Sequence, residues 1–214
     1  MAEDALSQVK PEKTKDGKRT VWRDRVNDRT YGRIIGGLAW PGADSYEPDC
    51  HLAILGEDIR VDAASGEHLI WILCEEAERT IEGALDKACS LMEQVLCRDW
   101  ILPLNEPEGI RVDRWLDERR MRRMPAPHLS VPPISEFVQL NALMQARTTT
   151  VKTFFFGQDS TAASAYVAVP DEDFYRPLRK YPQIACVLYP LGYLDTMSKR
   201  ETPRRKYQSA EGGY

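Results

Sequence analysis

Residues 69–100 read LIWILCEEAERTIEGALDKACSLMEQVLCRDW, and this segment sets the fold class expected for the whole chain. Its first six residues are apolar, which is typical of a strand buried on both faces, although a buried helix fits the same short run. Apolar residues then recur at steps of three and four from Ile81 to Leu96, which predicts a helix of about five turns. A second apolar run starts at Trp100. The segment therefore predicts a strand–helix–strand unit.

Two more strands are predicted before this unit. Tyr31–Trp40 is the first, with a Gly36-Gly37 pair that is typical of a bulge or of close backbone approach. His51–Leu55 is the second. The turn-forming residues from Asp62 to Glu67 predict that the second and third strands form an antiparallel hairpin.

Alternating helices and strands are predicted after the unit. Val112–Met124 is expected to be a short helix, and the four prolines of Pro125–Pro133 predict an extended connector. A further helix is expected after Ser135. Thr149–Phe156 is rich in β-branched and aromatic residues, which favours a fifth strand. The last helix is expected to start at Pro182, because proline suits the first turn of a helix.

Charge is strongly segregated along a chain whose formal net charge is only −4. From Gly42 to Glu108 there are sixteen acidic residues and four basic ones, whereas five basic and two acidic residues follow Met197. This pattern fits a solvated acidic surface with a basic tail. The alternative is an acidic cleft for divalent cations beside basic segments that contact phosphates.

The charge and apolar patterns divide the chain into three parts. Residues 1–30 carry eight basic and six acidic residues with almost no apolar periodicity, so a disordered or extended arm is expected. Trp22 lies among Arg19, Arg23 and Arg25, and it is the one feature of the arm that favours a nucleic-acid contact. Residues 31–195 are expected to form a single α/β domain, and residues 196–214 a flexible basic tail.

Cysteine usage and hydropathy indicate where the protein works. The five cysteines are an odd number, form no close pair and have no zinc-ligand spacing, so free thiols are expected rather than disulfides. The chain starts with polar residues, and no apolar run reaches the roughly 18 residues that a membrane span needs. We therefore expect a cytoplasmic protein without membrane contact.

Three stretches carry a resemblance to a known fold: IGGLAWP at 35–41, ILGED at 54–58 and YPQIAC at 181–186. With the predicted order βββαβαβα, the chain resembles the ribonuclease-H-like α/β fold. In that fold three antiparallel strands precede a parallel extension, and helices cover both faces of the mixed sheet. Within that fold the chain resembles the nuclease domain of phage terminase large subunits, or a stand-alone relative of that domain.

The resemblance implies a site for two divalent metal ions about 4 Å apart. Its carboxylates would come from the first strand, the end of the fourth strand and the last helix. In this sequence residues 34–40 contain no acid, Asn105 and Glu106 follow the fourth strand, and Asp195 lies at the far end of the last helix. The resemblance therefore implies a degenerate metal site.

These observations leave three hypotheses open, and whether the chain is an enzyme stays undecided. In the first, it is a nucleic-acid-associated protein of phage or mobile-element origin that is linked to DNA packaging or processing, and a phage-encoded protein would work in the host cytoplasm. It would bind DNA or packaging proteins through basic residues. Those residues are Arg119, Arg120, Arg122, Arg123, Lys199, Arg200, Arg204, Arg205 and Lys206.

The second hypothesis is an active Mg²⁺- or Mn²⁺-dependent nuclease with rearranged carboxylates. Its catalytic residues would be Asp44, Glu75 and Glu106, and its metal ligands Asp44, Glu57, Asp58 and Glu75. The third hypothesis is a structural or interaction protein with no catalytic role. Fold by itself does not choose among the three, because function depends on the site.

Overall fold

The computed structural model describes residues 6–104, 108–157 and 159–201, the last four of these by their backbone alone. Within these residues the strands are β1 Val9–Lys13, β2 Thr20–Asp24, β3 Arg29–Ala39, β4 Cys50–Val61, β5 His68–Glu78, β6 Asp99–Ile101, β7 His128–Ser130 and β8 Phe154–Phe155. The α-helices are α1 Ile81–Val95, α2 Glu108–Met121, α3 Phe137–Gln145, α4 Thr161–Val167 and α5 Pro182–Glu201. A π-helical turn covers Ala146–Thr150, and two 3₁₀ turns cover Asp171–Tyr175 and Leu178–Lys180.

The sheet is mixed, and its strand order is that of the predicted fold. Strands β3, β4 and β5 are antiparallel neighbours, which confirms the predicted hairpin. Strand β6 then pairs with β3 in parallel, and β7 pairs with β6 in parallel. Three antiparallel strands thus precede a parallel extension, so the ribonuclease-H-like fold is confirmed. Strand β8 extends the other edge, parallel to β5.

Helices cover both faces of this sheet, because successive residues of a strand point to opposite sides. On β3, Ile34 and Leu38 belong to the core that includes α1 and α2. Ile35 and Ala39 belong to a second core, which includes α3 and α5. Side chains on both faces of β3 are therefore buried. In β5, for which the apolar run predicted burial on both faces, Ile70 and Cys74 are buried and the residues around them are half-buried.

Helix α1 shows how local sequence sets an element. The hydroxyl of Thr80 accepts a hydrogen bond from the backbone N–H of Gly83 and caps the first turn. The buried residues of α1 follow the predicted three-and-four spacing from Ile81 to Val95, but Leu96, which was predicted to complete this face, is exposed. The helix ends at Leu96, which has a left-handed backbone conformation with φ 56° and ψ 31°.

The N-terminal segment corrects the expectation of a disordered or extended arm over residues 1–30. Strands β1 and β2 form an antiparallel hairpin, and β2 pairs with the first residues of β3. Leu6 and Val9 are buried, and the Trp22 indole donates a hydrogen bond of 2.6 Å to the carbonyl oxygen of Val95. Apolar periodicity missed the hairpin because so few of its residues enter the core.

The fifth strand is also corrected. Of the predicted strand Thr149–Phe156 only Phe154 and Phe155 are in β conformation, and the residues before them form the π-helical turn. Strand β7, inside the proline-rich connector, instead occupies the sheet position beyond β6. Because proline has no N–H to donate to a sheet, the prolines on both sides limit this edge strand to three residues.

The other boundary changes concern the last helix and the membrane question. Helix α5 starts at Pro182, as predicted, but it continues through residues 196–201, which were expected to belong to the flexible tail. No helix within the described parts of the chain is both long and apolar enough to cross a membrane. The five cysteines are buried free thiols.

Candidate nucleic-acid interface

The resemblance places a metal site where the ends of β3 and β6 meet the last helix, and here that position is filled by packing. Gly37 pairs with Ile101 of β6, and Ile101 is fully buried. A Cβ atom at Gly37 would lie 1.9 Å from the carbonyl oxygen of Cys186 in α5. No side chain fits between strand and helix at Gly37, so a carboxylate cannot be placed there without moving α5.

The predicted catalytic residues Asp44 and Glu75 have separate environments. Asp44 is exposed in the loop after β3. Glu75 lies on β5, where one carboxylate oxygen accepts hydrogen bonds from the Ala162 backbone N–H at 2.8 Å and from the Thr161 hydroxyl at 3.0 Å. Both donors belong to the first turn of α4, so the observed role of Glu75 is to cap that helix.

The predicted metal ligands Glu57 and Asp58 are next to each other on β4, so their side chains leave opposite faces of the sheet. Each has a cationic partner. Glu57 lies 3.8 Å from an Arg33 guanidinium nitrogen, and Asp58 accepts hydrogen bonds from Arg60, including one of 3.0 Å from Nε. Both carboxylates therefore already interact with arginine.

Asn105 and Glu106, the remaining site residues suggested by the sequence, lie outside the described residues. Within residues 6–104, 108–157 and 159–201, no three histidine, cysteine, aspartate or glutamate side chains are grouped as metal ligands. The side chains in this part of the chain do not fit a two-metal centre for Mg²⁺ or Mn²⁺. We therefore derive no metal-dependent step from them.

The four predicted DNA-binding arginines at the end of α2 differ in their surroundings. Arg119 packs over the Trp115 ring, 4.9 Å from its centroid, and donates hydrogen bonds to the Pro125 carbonyl at 2.9 Å and to Asp86 at 3.4 Å. Its side chain is only 12% exposed. Arg119 therefore stabilises the packing of α2 and the following loop.

The remaining predicted DNA contacts are on the surface or beyond the described side chains. Arg120 is exposed and forms an ion pair of 3.1 Å with Asp117. Arg122 and Arg123 follow the helix and are exposed. Lys199 and Arg200 belong to the last turns of α5, where only the backbone is described, and Arg204, Arg205 and Lys206 lie outside the described residues.

A groove that sequence reasoning missed lies between the N-terminal hairpin and β6. Strand β2 pairs with residues 29–31 of β3, and β6 pairs with residues 36–37 on the same edge. Residues 32–35 between them have no strand partner on that edge within the described chain. The resulting groove has a volume of about 670 Å³. It is lined by Pro11, Glu12, Lys13, Arg19, Thr20, Trp22, Gly32, Arg33, Ile34, Leu96, Arg98 and Asp99.

The charged side chains of the groove are mainly cationic. Lys13, Arg19 and Arg98 are all exposed. The two acids of the lining have basic neighbours. Glu12 forms ion pairs with Arg23 and Arg25, which lie outside the lining, and Asp99 lies 3.5 Å from His128. The groove thus presents basic groups around apolar side chains, which is the composition of a nucleic-acid-binding surface.

Trp22 among its arginines was the only sequence signal for this groove. The contribution of Leu96 and Arg98 has no local signal, because these residues come from the end of α1 and the start of β6. The hydrogen bond from Trp22 to Val95 joins positions 73 residues apart and places the hairpin beside α1. Only the folded chain brings the basic residues of the two segments together.

A second pocket lies at the other end of the parallel strands, after β6 and β7, and has a different character. Its volume is about 380 Å³, and Arg179 is its only charged lining residue. The remaining lining residues are Pro103, Leu104, Val131, Pro132, Ser135, Pro177, Leu178 and Tyr189. This pocket lacks the cluster of cations that distinguishes the groove.

Comparison with known proteins adds one structural neighbour. No protein-family model matches the chain, and no curated protein matches it. The fowlpox virus Holliday junction resolvase is similar with 12% sequence identity and a TM-score of 0.37, over 78% of this chain and 99% of the resolvase. The fold assignment above rests on strand order and register, not on this superposition.

Proposed function

We propose that this chain is a nucleic-acid-binding protein on a ribonuclease-H-like scaffold, with the metal-dependent nuclease chemistry of that fold absent. The observation that carries the proposal is the groove between the hairpin and β6. Its exposed cations come from two distant segments, Lys13 and Arg19 from the N-terminal hairpin and Arg98 from the residues before β6, and all three line one opening. Phosphate groups are the ligands that such a cation cluster favours.

The sealed position at Gly37 supports a binding role rather than cleavage. Cleavage by two metal ions needs converging carboxylates, whereas among the described candidates Glu57 and Asp58 interact with arginine, Glu75 caps α4 and no three ligands are grouped. The link to DNA packaging or processing, and to phage packaging proteins as partners, comes from the sequence resemblance to terminase nuclease domains. It belongs to this proposal as the biological setting in which the groove would act.

Fluorescence anisotropy with labelled nucleic acid at several NaCl concentrations tests the groove. The triple variant Lys13→Gln, Arg19→Gln, Arg98→Gln removes three candidate phosphate contacts. We expect its plot of log affinity against log salt to become shallower by about 2 to 3, because each contact contributes roughly 0.7 to 0.9. Affinity at low salt should fall by at least about ten-fold.

A matched control keeps the same change in net charge. Lys10, Lys15 and Lys18 belong to the same N-terminal hairpin region and are exposed, but they do not line the groove. The variant Lys10→Gln, Lys15→Gln, Lys18→Gln should retain most of the affinity and the salt slope. Equal losses in both triple variants would show binding by net charge and overturn the assignment to the groove, and a wild-type chain that binds no nucleic acid would overturn the function.

The exposed arginines at the end of α2 and directly after it are further candidate phosphate contacts. The variant Arg120→Gln, Arg122→Gln, Arg123→Gln removes them without touching Arg119, whose role is structural. A reduced salt slope in this variant would extend the interface from the groove to the end of α2. An unchanged slope would limit it to the groove.

A further inference from the structure

Leu96 is an apolar residue of the groove lining, and its backbone has a left-handed conformation. Leu96 terminates α1 with φ 56°, in the left-handed region that glycine or asparagine normally occupies at a helix end. A leucine there costs free energy, because its Cβ crowds the neighbouring carbonyl oxygen. The other non-glycine residues with positive φ in the described chain are Asp28, Arg123 and Lys152, all of them polar.

The side chain of Leu96 does not repay this cost by entering the core. It is 40% exposed and lines the groove together with Trp22 and Ile34. The Trp22 indole is held in place by its hydrogen bond to Val95, the residue directly before Leu96. An aromatic and an aliphatic side chain thus line the same opening as the exposed cations, and we call Trp22 and Leu96 the floor of the groove. Strained residues of this kind are concentrated at functional sites.

We infer that the groove binds single-stranded nucleic acid, with unpaired bases against Trp22 and Leu96 and phosphates near Lys13, Arg19 and Arg98. This inference rests on the proposed function and names its ligand class. Proteins that bind single strands combine aromatic and apolar side chains with cations, because each base offers a flat apolar face and each phosphate a negative charge. In a duplex the base faces are stacked inside the helix, so only the phosphates would contact the cations of the groove.

The variant Leu96→Gly separates this role from a structural one. Glycine adopts the left-handed conformation without strain, so we expect the variant to unfold at the same or a higher temperature than the wild type. It also removes the aliphatic part of the floor. Its affinity for an oligothymidylate of about 15 nucleotides should fall several-fold, whereas its affinity for a duplex of the same length should not change.

Lys152→Gly is the matched control. It relieves the same kind of backbone strain at φ 52°, and it lies outside the groove. It should leave single-strand affinity unchanged, even though it removes a positive charge. Trp22→Leu is a second floor variant, and it should lose roughly ten-fold in single-strand affinity because it removes the aromatic face. Circular dichroism confirms that each variant is folded.

The affinities of the wild-type chain for single-stranded and duplex probes test the inference and the proposed function separately. Tighter binding of oligothymidylate or oligouridylate than of the duplex supports the inference, and the stronger of the two identifies DNA or RNA. Equal or tighter binding of the duplex overturns the inference but leaves the proposed function standing. Absence of binding to all three probes overturns both. Equal losses of single-strand affinity in Leu96→Gly and Lys152→Gly would also overturn the role of the floor.

Discussion

The two halves of strand β3 have opposite characters. The first half, residues 29–34, is only partly buried and contributes residues 32–34 to the lining of the groove, whereas every residue of the second half, 35–39, is buried, with Ile35 and Ala39 in the core that includes α5. The two halves also differ in their partners, since β2 pairs antiparallel with the first and β6 pairs parallel with the second. One strand therefore serves both as the closed centre of the core and as the wall of an open groove.

This difference shows that one strand can be closed by packing at one point and open to solvent at another. At the covered half, the small residues Gly37 and Ala39 let α5 lie directly on the sheet, which adds packing contacts and leaves no space for ligands. Between residues 29–31, which pair with β2, and residues 36–37, which pair with β6, this edge of β3 is open, and side chains from distant segments line the opening. Function therefore has to be sought from side-chain placement rather than from the fold.

The largest expected effect comes from restoring a carboxylate at the covered half. Gly37→Asp places a Cβ within 1.9 Å of the Cys186 carbonyl oxygen and buries a charge against α5. We expect a loss of about 4 kcal/mol or more in the free energy of unfolding, measured by urea denaturation. We also expect no gain of a Mn²⁺-dependent thermal shift.

Gly157→Ala is the control for this substitution. No atom lies within 4 Å of a Cβ added at Gly157, so its stability should change by no more than about 0.5 kcal/mol. If Gly37→Asp were as stable as Gly157→Ala and bound Mn²⁺, the covered half would be an adaptable metal site. The contrast between the two halves would then fail.

An intermediate effect is expected from the arginines of α2, which test whether positive charge by itself marks a binding surface. Arg119→Ala removes contacts to Trp115, Asp86 and Pro125, and should lower the free energy of unfolding by about 1 to 2 kcal/mol. Arg122→Ala should change it by less than about 0.5 kcal/mol. The reverse order of stabilities in urea would show that Arg119 is a surface charge.

The smallest expected effect is the pH dependence contributed by His51, which lies beside the covered half, opposite Ala39. Burial lowers the pKa of His51 below its usual value of 6.5, while Glu47, Asp49 and Glu75 oppose this shift. The folded state therefore binds a proton less readily than the unfolded chain. Stability from this source is present above pH 6.5 and is lost as the pH falls through the folded pKa.

Urea denaturation at pH 7.5 and pH 5.5 measures this contribution. The wild-type chain should lose more stability between the two values than His51→Gln, whose side chain does not titrate. An equal loss in both proteins would show that His51 accepts a proton in the folded state without penalty. In that case the covered half would be more accessible to water than its packing indicates.

The core elements were predictable because their signals are local. The apolar run from Leu69 and the spacing from Ile81 to Val95 are properties of neighbouring residues, and they reappear as β5 and α1. The N-terminal hairpin and β7 were not predicted, since Leu6, Val9 and Trp22 give too few apolar positions for a period and β7 has only three residues. Edge elements such as these depend on a sheet that is already formed.

The site was less predictable than the fold. The sequence singled out Trp22, which lines the groove, but it could not show that Arg119 packs against Trp115 or that Glu75 caps α4. A charged residue has the same letter whether it binds a ligand, a helix end or a neighbouring side chain. Its role is decided by what lies within about 3 to 4 Å of it.

The sequence by itself determined the order of the core elements β3, β4, β5, α1 and β6, because burial of these elements produces runs and periods of apolar residues that are local to each of them. Only the tertiary structure decided where the chain is open. The groove exists because β2 and β6 pair with the same edge of β3 at different positions along the strand. Trp22, Leu96 and Arg98 therefore line one opening. The closed position at Gly37 exists because α5 crosses the sheet there. Both are consequences of contacts between distant segments, which no local pattern encodes.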